Sequence, residues 1–230
     1  MKVILERGSP DDLFVSKLAK GDPNDAIRLI EEARKDESFR KEIETTLLSG
    51  GRSNYIQICA PFELYALTRL LRPKHIVEVG VSAGVSSAYF LKALKRNGNG
   101  GILHSIDLPE NETLQESKRR KASWALPTGK ITGWAIPEHL RKDWDLKLGK
   151  SAYELPKVVR EVRKVSIFLY DVPYTDQSAI ADFGIVDQKI SKGSIALADN
   201  CPVPITWWAR KNKAKIYTRK NSGLRGFRID

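Results

Sequence analysis

The sequence predicts an α/β fold in which helices cover both faces of a mostly parallel sheet. After Lys74, short apolar runs alternate with amphipathic helical segments, an order typical of parallel sheets. The apolar runs are hydrophobic throughout rather than alternately polar, so we expect both faces of the sheet to be buried. The last two runs, KIYTR and GLRGFRID, flank Asn221-Ser222-Gly223, a turn signal that predicts an antiparallel hairpin at one edge.

The segments before Lys74 are predicted to be helices. SPDDLFVSKLAKG begins with Ser9 as the candidate N-cap and Pro10 at the first helical position. DPNDAIRLIEEARKD repeats this start signal, and its spacing places four apolar residues along one face, namely Ile27, Leu29, Ile30 and Ala33. Two more helices, FRKEIETTLLSGG and PFELYALTRLLRPK, end at glycines and at a proline.

Five apolar runs are predicted strands, and helical segments separate most of them. In chain order these strands are HIVEV, ILHSID, LKLG, VSIFLYD and SIALADN. Helical periodicity marks VSSAYFLKALKRN, AYELPKVVREVRK and DQSAIADFGIVDQKIS. The mixed segment of residues 108–144 interrupts this order and is a candidate lid. Ligands bind beyond the carboxyl ends of the strands in such sheets. Four strands end in acidic residues, namely Glu78, Asp107, Asp171 and Asp199.

Composition narrows the classes of function. The net charge is +11, with clusters at residues 118–121 and 210–215, which leaves nucleic acid, an anionic substrate and simple solubility open. Two distant cysteines, Cys59 and Cys201, and three scattered histidines supply neither a disulfide framework nor a zinc site. No apolar run is long enough to span a membrane, and the N-terminus is too polar for a signal peptide, so a cytoplasmic location is predicted.

The turn after HIVEV carries the main chemical signal. The stretch from Gly80 to Gly84 lacks the middle glycine that lets backbone N–H groups approach a pyrophosphate, and there is no Walker lysine. Glu78 would repel a phosphate and suits a cationic ligand such as S-adenosylmethionine, which carries a sulfonium and an ammonium. Asp107 fits the same ligand, because a carboxylate that ends the second strand can bind both hydroxyls of a ribose. A purely structural strand-to-helix turn is the alternative.

EVGVSAGVSS followed by ILHSID resembles the cofactor-binding half of class I S-adenosylmethionine-dependent methyltransferases, most closely the catechol and caffeoyl-CoA O-methyltransferase branch. A broader group of methyltransferases has counterparts of GWAIPEHL, LGKSAYELP and GLRGFRI. The resemblance covers residues 61–230 and implies a Rossmann-like, seven-stranded sheet with an antiparallel last strand. Residues 1–60 lie outside the resemblance, and their helical pattern predicts an N-terminal extension or cap. The resemblance also implies cofactor contacts from Glu78, Gly80, Ser82, Gly84, Ser86, Asp107 and Ser151.

The stretches YDVPYT and LADN bear on catalysis. In the metal-dependent members of that branch, an Asp and an Asp-Asn pair at adjacent strand ends bind Mg²⁺ or Ca²⁺, and Asp171, Asp199 and Asn200 match them. Two carboxylates and an amide are also a suitable oxygen-only site. The catalytic Lys or His of the relatives is missing, which leaves Tyr174 as an orienting group or base beside Asp171. Alternatively, Asp171 contacts the cofactor or a helix N-terminus, and the Asp-Asn pair caps a turn.

We therefore predict an S-adenosylmethionine-dependent methyltransferase that acts on a hydroxyl oxygen of a small molecule, with or without a divalent metal. Five tryptophans are candidate walls for a flat acceptor, namely Trp124, Trp134, Trp144, Trp207 and Trp208. The alternatives are a methyltransferase that acts on RNA or protein through the basic clusters, and a non-catalytic cofactor-binding protein. Residues 1–60 are either a cap over the acceptor or a contact in a homodimer, and no membrane partner is expected.

Overall fold

The computed structural model describes residues 9–50, 60–119, 126–127, 129–173 and 175–230. The strands are β1 His75–Val79, β2 Ile102–Asp107, β3 Trp144–Leu148, β4 Ile167–Tyr170, β5 Ile195–Ala198, β6 Ile216–Thr218 and β7 Arg225–Arg228. The α-helices are α1 Asp12–Ala19, α2 Pro23–Lys35, α3 Glu37–Leu48, α4 Pro61–Leu71, α5 Val85–Asn97, α6 Glu110–Arg119, α7 Ser151–Glu161, α8 Asp176–Asp187 and α9 Pro202–Lys211; a 3₁₀ helix spans Glu138–Asp143. Across these ranges, no helix has the length and apolar character needed to cross a membrane.

The strands form one seven-stranded sheet in the order β3-β2-β1-β4-β5-β7-β6. The pairs among β1 to β5 are parallel, and β7 runs antiparallel to both β5 and β6. The predicted Rossmann-like, mostly parallel sheet with an antiparallel last strand is therefore confirmed. Strand order reverses between β1 and β4, so the carboxyl ends of these two strands form the switch point at which ligands bind in such sheets.

Two hydrophobic clusters cover the two faces of the sheet. On one face, helices α1 to α5 bury side chains such as Tyr65 and Phe90 against the strands. On the other face, helices α7 to α9 surround Phe168, and Phe183 stacks on Trp208 with ring centroids 4.8 Å apart. Because the central strands are buried on both sides, their residues are apolar throughout, as the sequence pattern predicts.

The structure corrects three details of the helix predictions. The N-cap of α1 is Asp11 rather than Ser9, because the Asp11 carboxylate accepts a hydrogen bond from Phe14 N at 3.0 Å. On α2, Ile27 is exposed instead of lying on the buried face. The sequence pattern does not predict α9, since two prolines in PVPITWWARK obscure its periodicity. Trp208 of this helix is fully buried, so it is no wall for an acceptor.

Buried polar contacts join the N-terminal helices to the end of the chain. Glu63 on α4 accepts a hydrogen bond from Arg219 Nε at 2.5 Å and another from Asp11 N at 3.0 Å. Both side chains of the Glu63–Arg219 ion pair are buried, at 0% and 1% exposure. Arg228 on β7 donates to two carbonyl oxygens at the end of α1. Residues 9–50 therefore pack directly on the sheet domain, and their role as a cap or a dimer contact stays a prediction.

The described part of the candidate lid also packs on the core. Its first part forms α6, and Ala135, Ile136 and Leu140 are buried in the same cluster as helices α1 to α5. Trp134 is almost completely buried, Trp144 opens β3, and the predicted Trp124 lies outside the described residues. Lid movement of residues 108–144 therefore stays a prediction.

Candidate active site

The glycine turn joins β1 to α5 and brings the ends of two strands together. Gly80 has a φ of +98°, and a Cβ there would lie 1.9 Å from the carbonyl oxygen of Asp171. Gly84 has a φ of +91°, and a Cβ there would lie 2.6 Å from Ile136 Cγ1. Ser82, between them, is also left-handed, with a φ of +50°. Backbone shape and close packing therefore both require the two glycines at the switch point.

Glu78 lies under this turn and is completely buried. Its carboxylate accepts hydrogen bonds from the hydroxyls of Ser86 at 2.5 Å, Ser87 at 2.6 Å and Ser105 at 2.7 Å. Burial raises the pKa of the Glu78 carboxyl to about 7; the three serine hydroxyls oppose this shift, and the charge of Asp107 adds to it. Glu78 and Ser86, both predicted to face the cofactor, therefore bind each other beneath the turn.

Asp107 ends β2 and holds the glycine turn from the side. Its Oδ2 accepts hydrogen bonds from Val81 N at 3.0 Å and Ser82 N at 2.7 Å, and its Oδ1 accepts one from Leu108 N at 2.7 Å. Burial raises the pKa of the Asp107 carboxyl, although these backbone donors oppose the shift. Asp107, which is predicted to bind the ribose, therefore also anchors the glycine turn. The sequence pattern does not show this second role.

Asp171 follows β4 at the same edge of the sheet. Its side chain has an exposed surface, yet protein encloses it on most sides. That enclosure, and then the charges of Asp199, Glu78 and Asp107, raise the pKa of the Asp171 carboxyl. Water on the open side weakens this effect without reversing it. The structure therefore brings the four predicted strand-end acids into one electrostatically coupled group.

Asn200 does not face this group with its oxygen. Its Nδ2 donates to Asp199 Oδ2 at 2.7 Å, and its backbone N donates to Gly223 O at 3.2 Å. Its Oδ1 lies against the β6–β7 turn, where a Cβ on Gly223 would be only 2.1 Å away. Within the described ranges, no group of three or more His, Cys, Asp or Glu side chains has a metal-binding arrangement. The carboxylates of Asp171 and Asp199 suit a hard cation, whereas the Asn200 side chain would have to rotate to direct its oxygen toward that cation.

Ser151 and Tyr174 complete the predicted set. Ser151 begins α7 and donates to Asp182 Oδ2 at 2.7 Å, and Asp182 is buried on α8. Gly149 N donates to Asp107 O at 2.8 Å, so the turn before Ser151 lies beside the end of β2, and an adenine contact of Ser151 stays a prediction. Tyr174 lies outside the described residues.

One further element at the site belongs to residues 108–144, which the sequence predicts as a lid without assigning cofactor contacts within it. Gly133 N donates to Ser82 O at 2.8 Å, and Ala135 N donates to Ala83 O at 2.9 Å. The GWAIPEHL stretch therefore lies directly on the glycine turn. Gly133, with a φ of +72°, is the signal in the sequence that could have indicated a special backbone at this position.

Comparison with known proteins places this geometry in a family. Residues 77–201, more than half of the chain, match the family described as Methyltransferase domain. No curated protein matches the chain. A Staphylococcus aureus protein assigned as a caffeoyl-CoA O-methyltransferase has a similar structure, with a TM-score of 0.59, 12% identity, and coverage of 91% of this chain and 100% of that chain.

Two further solved structures are O-methyltransferases. The enzyme from Bacillus cereus, in complex with SAH, has a TM-score of 0.52 at 12% identity, and the match covers 84% of this chain and 91% of that chain. TomG from Streptomyces achromogenes, in complex with SAM, has a TM-score of 0.52 at 15% identity, with 85% and 90% covered. These similarities show the fold, and the family match covers the glycine turn and all four strand-end acids. The chain therefore belongs to the methyltransferase-domain family and is a methyltransferase with the class I, Rossmann-like fold.

Proposed function

We propose that this methyltransferase transfers the methyl group of S-adenosylmethionine to a hydroxyl oxygen of a small molecule. The observation that carries the proposal is the acidic group of Glu78, Asp107, Asp171 and Asp199 around a turn without a phosphate-binding pattern. Such an edge favours a ligand with cationic sulfonium and ammonium groups. The O-methyltransferase structures with the same fold support oxygen as the acceptor atom and a small molecule as the substrate.

When bound, the cofactor supplies a methyl group on an already activated sulfur. The task left to the chain is to bind both reactants and to orient them in line. Asp107 can bind a ribose hydroxyl while it holds the turn, because its three backbone donors leave one acceptor site on Oδ1. Gly80 and Gly84 leave the two ends of the turn without a Cβ, which the close contacts there require. Orientation of this kind can contribute about 7 to 11 kcal/mol at most.

Asp171 is the residue best placed to accept the proton of the acceptor hydroxyl. Its pKa is raised toward neutral pH, and a general base is most effective when its pKa lies near the pH of the reaction. It lies at the switch point, next to the turn that would hold the cofactor. Tyr174 stays a candidate for orienting the acceptor.

Isothermal titration calorimetry with S-adenosylmethionine tests the proposal, followed by detection of S-adenosylhomocysteine formed with a panel of small phenols and alcohols. We expect saturable binding and turnover with at least one hydroxyl compound. We also expect Asp171→Asn to bind the cofactor more weakly yet measurably and to lose turnover even at saturating cofactor, while the exposed Asp176→Asn is a matched control that keeps both. Absence of binding at millimolar cofactor would refute the proposal.

A divalent cation is a further part of the proposal. Asp171 and Asp199 are hard oxygen ligands whose mutual repulsion a cation would relieve. Calorimetry with Ca²⁺ and Mg²⁺ is the test, and we expect Asp199→Asn to remove any binding seen in the wild type. Equal cation binding by the wild type and this variant would place the ion elsewhere.

The chain also offers an observation in favour of a nucleic-acid substrate. Residues 200–229 contain eight basic side chains and no acidic one. Within the part of the chain that the structure describes, Arg210, Lys213 and Lys215 are exposed and make no ion pair. Salt-sensitive binding of single-stranded RNA would support this second candidate.

A cytoplasmic location and a homodimer stay predictions.

A further inference from the structure

Residues 132–141, which we call the strap, lie on the glycine turn and are held there by main-chain contacts. Gly133 N and Ala135 N donate to the carbonyl oxygens of Ser82 and Ala83, at 2.8 and 2.9 Å. These two carbonyls belong to the same turn whose N–H groups Asp107 binds. The turn is therefore held from two sides. Its N–H groups donate to Asp107 at the end of β2, and its carbonyl oxygens accept from the strap.

Arg141 holds the strap in this shape. Its Nη2 donates to Gly133 O at 2.9 Å and to Ile136 O at 3.0 Å, so one guanidinium ties both ends of the turn-contacting stretch. The same guanidinium lies over the Trp144 ring, 5.3 Å from its centroid. A Cβ on Gly133 would be 2.4 Å from that ring, so the strap and Trp144 are in close contact.

Trp144 continues the contact to the buried acid under the turn. Its Nε1 donates to Ser105 Oγ at 3.0 Å, and Ser105 Oγ donates to Glu78 Oε2 at 2.7 Å. A chain of contacts therefore runs from Arg141 through Trp144 and Ser105 to Glu78. This chain of contacts ends at Glu78, the buried acid beneath the glycine turn. The strap contacts the turn directly, through the carbonyl oxygens of Ser82 and Ala83.

We propose that the strap, with Arg141 as its positioning residue, holds the glycine turn in the shape that binds the cofactor. This inference rests on the proposed function, since it concerns the same site. Arg141 contacts the strap and Trp144, and its effect on the ligand passes through the turn. Loss of Arg141 leaves only the buried apolar side chains of the strap to support its two main-chain bonds, so more of the turn must be ordered when the cofactor binds.

The experiment measures S-adenosylmethionine affinity by calorimetry, and amide hydrogen exchange of the peptide that covers residues 79–86, in the wild type and three variants. Arg141→Ala removes the guanidinium, Arg141→Lys keeps the charge without the planar fork, and Lys142→Ala is the control at the neighbouring exposed position. All measurements are made well below the melting temperature of each variant. A merely structural role would lower that temperature without changing affinity or exchange in the folded protein.

We expect Arg141→Ala to bind the cofactor about tenfold more weakly, which corresponds to about 1.4 kcal/mol for ordering the turn, and to exchange faster in the turn peptide. Arg141→Lys should fall between Arg141→Ala and the wild type, and it decides the question if Arg141→Ala does not fold. Lys142→Ala should match the wild type. Unchanged affinity and unchanged exchange in both Arg141 variants would overturn the inference.

Failure of the proposed function gives a different result. If the wild type does not bind S-adenosylmethionine, the proposed function is wrong, and hydrogen exchange alone then decides whether the strap orders the turn. Faster exchange of residues 79–86 in Arg141→Ala would support that part of the inference, and unchanged exchange would overturn it.

Discussion

Asp107 Oδ2 accepts a hydrogen bond from the backbone N–H of Ser82 at 2.7 Å, so the residue that ends β2 holds the turn that follows β1. The same oxygen also accepts from Val81 N. One side chain thereby combines two requirements of the site. It fixes the backbone against which a cofactor would lie, and it presents a carboxylate at the place where a ribose is expected.

The first prediction concerns Asp107. Asp107→Asn keeps one acceptor oxygen but loses the charge, which weakens both the turn and a ribose contact. We expect S-adenosylmethionine affinity to fall by about tenfold or more, since hydrogen bonds to a charged group are roughly twice as strong as neutral ones. Calorimetry measures the change. Asp145→Asn is the control, because Asp145 lies on the edge strand β3, where it pairs with Lys147 and with His104 of β2. An equal loss of affinity in both variants would contradict a specific role for Asp107.

The second prediction concerns two glycines. Gly80→Ala would place a methyl group 1.9 Å from the Asp171 carbonyl oxygen at a φ of +98°, so we expect a lower melting temperature and no cofactor binding. Gly184 lies on α8 with open space at its Cβ position. Gly184→Ala should therefore stabilise the protein by up to about 1 kcal/mol through helix propensity. Thermal unfolding of both variants is the measurement, and a tolerated Gly80→Ala would show that the strand ends do not meet as described.

The third prediction concerns pH. The pKa of Glu78 is about 7 in the fold, above its ordinary 4.5, because the carboxyl is buried. The folded state therefore holds this proton more tightly than the unfolded state does, so the group favours folding at low pH and that advantage is lost as the pH rises through about 7. Glu78→Gln cannot titrate. Urea unfolding should show the wild type losing stability relative to this variant between about pH 5 and pH 8. Parallel curves would contradict the raised pKa.

The fourth prediction concerns the contact between the two ends of the chain. Glu63 and Arg219 form an ion pair with exposures of 0% and 1%, so removal of one partner leaves an uncompensated buried charge. We expect Glu63→Gln to lower the free energy of unfolding by about 3 to 5 kcal/mol. Glu31→Gln is the matched control, because the Glu31–Arg34 pair is exposed and should contribute about 1 kcal/mol at most. Urea unfolding measures both, and a similar small loss would mean that Glu63 is not structurally important.

The fold class, the order of the strands along the chain and the acids that end them were all predictable from the amino-acid sequence. They were predictable because a parallel sheet needs continuous apolar runs, and because a tight strand-to-helix turn needs glycines at Gly80 and Gly84. These are local requirements, and they are visible in the pattern of neighbouring residues. Helices α6 and α9 are exceptions. α6 has too few apolar residues to show a helical period, and the period of α9 is obscured by prolines near its start and by adjacent tryptophans.

The contacts of the polar groups, in contrast, could not be predicted before the packing of the chain was known. Glu78 binds three serines, Asp107 holds backbone donors, and the Asn200 oxygen faces Gly223. Arg219 reaches Glu63 across 156 positions of the chain, and the strap meets the glycine turn about fifty positions away. The physical reason is that hydrogen bonds depend on distance and direction in space. Sequence spacing specifies these only within one helix, strand or turn, so packing of the whole chain determines the partners of distant side chains.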